Sequence, residues 1–165
     1  MKSLTQPLRD EHKELIPHIE QIRDVADSIP ESPIEQIREG VREVYEFLAY
    51  QLVPHAQAEE AALYPVVQRA LGSPDATRTM SRDHIEVGRY IEELDSLRQD
   101  VSPQSFKSLQ RVLYGVYALV KVHFAKEEEV YLPILEERLS PEQAKEMFEA
   151  MEEAAGHAKH ALHAS

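Results

Sequence analysis

Two stretches of the chain carry the same phrase. Residues 55–65 read HAQAEEAALYP and residues 123–133 read HFAKEEEVYLP. In each, a Glu follows the His by four positions, a second Glu comes next, and Pro closes the phrase at the same offset. On a helix, residues four apart lie one turn apart on one face. Each phrase therefore sets an imidazole beside a carboxylate: His55 with Glu59, and His123 with Glu127. A second pair of echoes, EHKEL at 11–15 and DHIEV at 83–87, supplies His12 and His84. The order along the chain is His, His-x3-Glu, His, His-x3-Glu, as in two related helical hairpins facing each other. With no Cys in the chain, imidazole and carboxylate donors suit iron, manganese, zinc or copper. Six side chains are too many for one tetrahedral zinc with an open position. They suit two metal ions, with Glu59 and Glu127 bridging and the imidazoles terminal. Nitrogen and oxygen donors around a bridged pair favour iron.

Helices must position these groups. The chain has only five Gly and no alternating strand pattern. Ser-Pro occurs at 32–33, 73–74, 102–103 and 140–141, and Ser as N-cap with Pro at the first helical position starts a helix. Ser32 to Glu35 and Ser140 to Gln143 also read as capping boxes. Helices are expected near 6–28, 33–71, 74–99, 103–138 and 141–162. The fold class is all-α: an antiparallel up-down-up-down four-helix bundle over residues 1–139, with a C-terminal accessory helix and tail, 140–165, in the same domain. Apolar stripes agree with this. They run through Leu8, His12, Leu15, Ile16, Ile19 and Ile22; Leu48, Leu52, His55, Glu59, Leu63 and Val66; Met80, His84, Val87, Ile91 and Leu94; and Val116, Val120, His123, Glu127, Val130 and Ile134. Glu is rarely buried unless paired or bound to metal, and no Lys or Arg falls on these stripes.

Neighbouring residues divide by position. Glu60 and Glu128, five residues from their His, face away on a regular helix. With Glu129 they are surface groups or hydrogen-bonding partners of the site. Pro54, directly before His55, should kink its helix or force a bulge. Tyr64 and Tyr131 either pack or donate hydrogen bonds to the site, and Tyr50, Tyr90 and Tyr117 are further phenol candidates. His18 lies off the His12 face. His157, His160 and His163 read as a solvated helix end.

Acidic residues outnumber basic ones 30 to 18, for a net charge of −12. That opposes a nucleic-acid partner, which needs a basic patch. No stretch approaches the roughly 20 apolar residues of a membrane span, and the N-terminus lacks the apolar run of a signal peptide. A cytoplasmic location is the expectation.

The ordered set of four His and two Glu, with both phrases as quoted, resembles the hemerythrin-like, or HHE cation-binding, domains over roughly residues 6–138. The resemblance implies two non-haem iron ions, bridged by oxo or hydroxo and by carboxylates, inside a four-helix bundle. It implies His12, His55, Glu59, His84, His123 and Glu127 as ligands. One position departs from the pattern: oxygen carriers hold a further His one turn after the third-helix ligand, where this chain has Gly88. That leaves a coordination position for water, a Tyr or an incoming ligand. The expected partners are therefore oxygen, hydrogen peroxide and nitric oxide, handled by peroxidase-type, catalase-like or nitric-oxide chemistry. The alternative is oxygen or iron binding, sensing or storage without turnover, where a sensor would need a protein partner. A ferritin-like enzyme would use Glu-x-x-His and a zinc protease His-Glu-x-x-His. Neither motif occurs in the chain.

Overall fold

The computed structural model describes residues 3–163, and all secondary structure among them is helical. We label five helices: α1 (Gln6–Ser28), α2 (34–71), α3 (Arg78–Leu97), α4 (106–138) and α5 (Pro141–His163). None is long and apolar enough to cross a membrane.

Of the four Ser-Pro pairs, only Ser140-Pro141 opens its helix as expected. The Gln143 amide donates to Ser140 Oγ (3.2 Å) and the Ser140 amide donates to Gln143 Oε1 (2.9 Å), a complete capping box. α2 instead starts at Ile34 with no side-chain cap, so the Ser32–Glu35 box does not form. α3 and α4 start at Arg78 and Phe106, several residues after their Ser-Pro pairs. Local turn bonds form there instead: Ser73 Oγ accepts from the Asp75 amide, and the Ser102 backbone amide donates to Ser105 Oγ. Such bonds compete with helix initiation.

α2 and α4 are not regular. Three single π turns interrupt them, at Leu48–Leu52, Glu59–Leu63 and Glu127–Tyr131. Each ends two residues before a proline: Pro54, Pro65 or Pro133. A proline ring inside a helix crowds the carbonyl four residues back and offers it no N–H. A wider turn relieves the crowding. The bulge expected from Pro54 is present, and the other two were not anticipated. Pro17 sits in α1 without such a turn, so proline alone does not dictate one.

The extra residue shifts the apolar register. Beyond Glu127 the expected stripe residue Val130 is 49% exposed, and Tyr131, Leu132 and Leu135 are buried instead. Beyond Glu59, Val67 rather than Val66 is fully buried. Ile16, also assigned to a stripe, is 41% exposed.

The core falls into two apolar clusters. One contains Leu15 and Ile19 of α1, Leu48 and Leu52 of α2, Val87 and Ile91 of α3, and Val116 and Val120 of α4. The other contains Leu8, Leu63, Val67, Met80, Leu132 and Leu135, with Met147 and Met151 of α5. α5 lies against segment 53–63 of α2. On every one of α1–α4 the candidate His falls between the two clusters, so the polar groups form a layer with apolar packing above and below.

Glu136, near the end of α4, holds the start of α1. Its carboxylate accepts from the Leu4 amide (3.1 Å), the Thr5 amide (2.8 Å), Thr5 Oγ1 (2.7 Å) and Ser3 Oγ. Burial pushes the carboxyl up, but these hydrogen bonds outweigh it and hold the group down at about 2. A carboxyl depressed on folding stabilises above its unfolded value, about 4.3, and that contribution is lost as pH falls through the folded value. Glu136→Gln should therefore lower stability at pH 7 by about 1–2 kcal/mol. Urea denaturation should show the gap to the parent closing from about pH 4.5 toward pH 2. A gap that stays constant across that range would refute the assignment.

Candidate metal centre

The six residues singled out by spacing converge. His12, His55, Glu59, His123 and Glu127 are all at most 4% exposed; the His84 side chain is 14% exposed. The Glu59 carboxylate lies between two pairs of imidazoles. Its Oε1 is 2.9 Å from His55 Nε2 and 3.9 Å from His12 Nε2. Its Oε2 is 3.2 Å from His84 Nε2 and 3.7 Å from His123 Nε2. Glu127 spans the same gap, with Oε2 3.4 Å from His12 Nε2 and Oε1 3.4 Å from His123 Nε2. The donors thus form two groups, one around His12 and His55 and one around His84 and His123, with both carboxylates reaching each. Two sets compact enough to hold a cation emerge: His12, His55, Glu59 and Glu127, and Glu59, His84 and His123.

Five buried atoms here make no hydrogen bond of good geometry, the 2.9 Å approach of His55 Nε2 to Glu59 Oε1 included: His12 Nε2, His55 Nε2, both oxygens of Glu59, and Glu127 Oε2. Buried polar atoms are almost always satisfied. All five face the centre of the cluster, as they would around cations. On the protein alone, burial pushes His12 down, but Glu127 and Glu59 outweigh it and raise it to about 9. In the same way burial opposes, and Glu127 and Glu59 produce, a rise of His123 to about 10. His55 is raised well above its ordinary value by Glu59 and Glu11 against its burial. Glu59, despite burial, is held well below the usual carboxylate range by His55, His12 and His123. The carboxylates demand positive charge, and in a metal's absence protons supply it.

The outward nitrogens are fixed as well. Glu11 on α1 accepts from His55 Nδ1 on α2 (3.0 Å), and Glu60 on α2 pairs with His84 Nδ1 on α3 (2.8 Å). Asp83 on α3 pairs with His123 Nδ1 on α4 (3.0 Å), and Glu128 on α4 pairs with His12 Nδ1 on α1 (2.8 Å). Each helix thus orients the imidazole of the next, and the ring closes. A carboxylate on Nδ1 fixes the tautomer that leaves Nε2 free to ligate. Three of the acids have outer partners of their own: Ser81 to Glu60, Lys126 to Asp83 and Arg9 to Glu128. Glu60 and Glu128 are therefore hydrogen-bonding partners of the site. Glu11 and Asp83 were missed, although the acid–His pairs of EHKEL and DHIEV were the available signal.

Tyr64, one of the candidate phenol donors, does reach the site. Its hydroxyl lies 3.1 Å from Glu127 Oε1, 3.3 Å from His123 Nε2 and 3.4 Å from His84 Nε2. On a regular helix residue 64 would face away from Glu59. The π turn brings it back: the Tyr64 amide donates to the Glu59 carbonyl, so the fifth residue stands where the fourth normally would. Burial, Glu59 and Glu127 push the phenol far up, so it stays protonated and donates to Glu127. In the second phrase the corresponding residue is Leu132, and the two ends of the site differ accordingly. Tyr131 instead donates to the Ala76 carbonyl (2.7 Å), and Tyr117 to Glu20 (3.2 Å). Tyr50 is 44% exposed, and Tyr90 packs against Gly115. His18 stacks on Phe47, away from the site. His157 and His160 are exposed on α5, and the His163 side chain lies outside the described residues.

Comparison with known families gives one match: the hemerythrin HHE cation binding domain, over residues 3–135. The chain belongs to this family. No curated protein and no solved structure matches it significantly. The match spans α1 to most of α4 and stops before α5. HHE domains bind cations, and the buried, unpartnered donors fit that role.

Proposed function

We propose that this HHE domain holds two non-haem iron ions and reacts with small oxygen and nitrogen species, hydrogen peroxide foremost. The carrying observation is the set of five unpartnered buried atoms within two groups compact enough to hold a cation: His12 Nε2, His55 Nε2, Glu59 Oε1 and Glu127 Oε2 face one group, and Glu59 Oε2 faces His84 and His123. In this reading His12 and His55 serve one ion, His84 and His123 the other, and Tyr64 completes the second set where Gly88 replaces a His. The alternating order of the two apolar clusters along α1–α4 supports an up-down-up-down bundle, with α5 as an accessory helix of the same domain.

Bound iron would supply one-electron redox chemistry and an electrophilic position for a small ligand. The chain supplies the rest. The four carboxylates on Nδ1 hold the imidazoles in place. The apolar clusters pack on either side of the polar layer. Without metal the Tyr64 hydroxyl holds its proton at Glu127 Oε1, and it would give that proton up on joining the second set. Metal analysis of protein from iron-fed cells should find two irons per chain, with a near-ultraviolet charge-transfer band, and the loaded protein should consume hydrogen peroxide. Two bound irons without turnover would instead favour oxygen or iron binding, sensing or storage. Protein that takes up neither iron nor another divalent ion would end the reading.

A further inference from the structure

A cleft of about 460 Å³ opens onto the His84 and His123 end of the site. Its walls are mostly apolar, with Leu52, Val53, Val87, Val120 and Phe124 among them and Gln57 as a polar member, and site residues line its inner side. Gly88 borders it, and a Cβ there would meet nothing within 4 Å. The glycine therefore makes room in the cleft and serves no close helix contact.

This volume is out of scale for a diatomic ligand or hydrogen peroxide, each about the size of one water, whose share of liquid is about 30 Å³. It falls in the range of pockets that take organic molecules. The walls also select chemically. No Lys or Arg lines the cleft, and besides the site carboxylate Glu59 its charged residue is Glu60, on a chain of net charge −12. Away from the site itself, an anionic group would find no countercharge on the walls. An uncharged molecule with an alkyl or aryl body meets a matching surface.

We propose that the cleft binds an uncharged organic hydroperoxide, its alkyl or aryl body against Leu52, Val87, Val120 and Phe124 and its peroxide group toward His84 and His123. This rests on reading the site as a peroxide-reactive metal centre, and it goes further by naming the substrate class.

Binding can be tested apart from the chemistry. Zinc-loaded, isotope-labelled protein is titrated with cumyl alcohol, an unreactive stand-in for cumene hydroperoxide, and followed by NMR. We expect saturable shifts at Ala56, Val87 and Gly88, and methanol, which lacks the aryl body, to bind at least about tenfold more weakly. Gly88→Leu and Ala56→Leu, which fill the cleft from opposite walls, should each weaken cumyl alcohol by about tenfold or more while keeping their zinc content. In the iron form, with an added one-electron donor supplying the two electrons that take the hydroperoxide to cumyl alcohol and water, Gly88→Leu should lower kcat/KM for cumene hydroperoxide relative to hydrogen peroxide. Absence of saturable shifts, or shifts that survive both variants, would overturn the proposal and leave the metal reading untouched. Binding without consumption of either peroxide would overturn the hydroperoxide assignment together with the peroxide reading. Consumption of hydrogen peroxide alone would overturn the hydroperoxide assignment only.

Discussion

On the di-iron reading proposed above, replacing Glu59 with Ala should empty both halves of the centre, taking bound iron from two per chain to near none. Glu59 is the residue whose two oxygens face all four imidazoles, at 2.9–3.9 Å. His12→Ala removes a donor from one half alone and should leave the His84 and His123 half loaded. The contrast between these variants, read by elemental analysis, is the test. Loss of iron should remove the metal-dependent stability as well, about 4 kcal/mol at a thousandfold excess of metal over its dissociation constant. Removing one partner from a buried charge cluster is itself destabilising, so Glu59→Gln, which keeps the volume, guards against misfolding. A folded Glu59→Ala protein that retains two irons would refute the bridging role.

Tyr64→Phe should leave two irons bound and change the spectrum and the reactivity. The variant loses only the hydroxyl that reaches Glu127, His123 and His84; the ring keeps its buried place. If the phenol completes the His84 and His123 set, loss of a visible phenolate-to-iron absorption band should follow. The freed position should raise the rate of reaction with hydrogen peroxide by about tenfold, equivalent to about 1.4 kcal/mol. Adding Gly88→His should then lower the rate again and favour reversible oxygen binding, because residue 88 lies one turn after His84 and faces open space. A Tyr64→Phe protein with unchanged spectrum and kinetics would mean the phenol serves only packing. A folded, iron-loaded double variant with unchanged peroxide kinetics would show that reaction does not pass through this end of the site.

The ring of carboxylates gives the fold a second reason to keep its helices in register. Each of α1–α4 carries the acid that orients its neighbour's imidazole, so sliding one helix misplaces two histidines. Pro65 and Pro133 act on the same parts, since the π turns before them begin at Glu59 and Glu127.

The sequence by itself determined the helical class and the six convergent side chains. Their spacing is local: His and Glu four apart share a face on any α turn, and the Glu comes before the π turn that shifts the register. It also marked Gly88 as open. Past Glu59 and Glu127 the same rule failed, because the wider turns move every later residue by one place, burying Tyr131 and Leu135 where Val130 and Ile134 were expected. For Tyr64 the sequence left packing and hydrogen bonding to the site both open, and the π turn decided between them. Glu11 and Asp83 stand beside histidines in sequence, yet each orients the histidine of the following helix, a relation set by the distance between helices. Tertiary structure decided these pairings, because a helix's own periodicity says which face a residue takes and nothing about what stands opposite it.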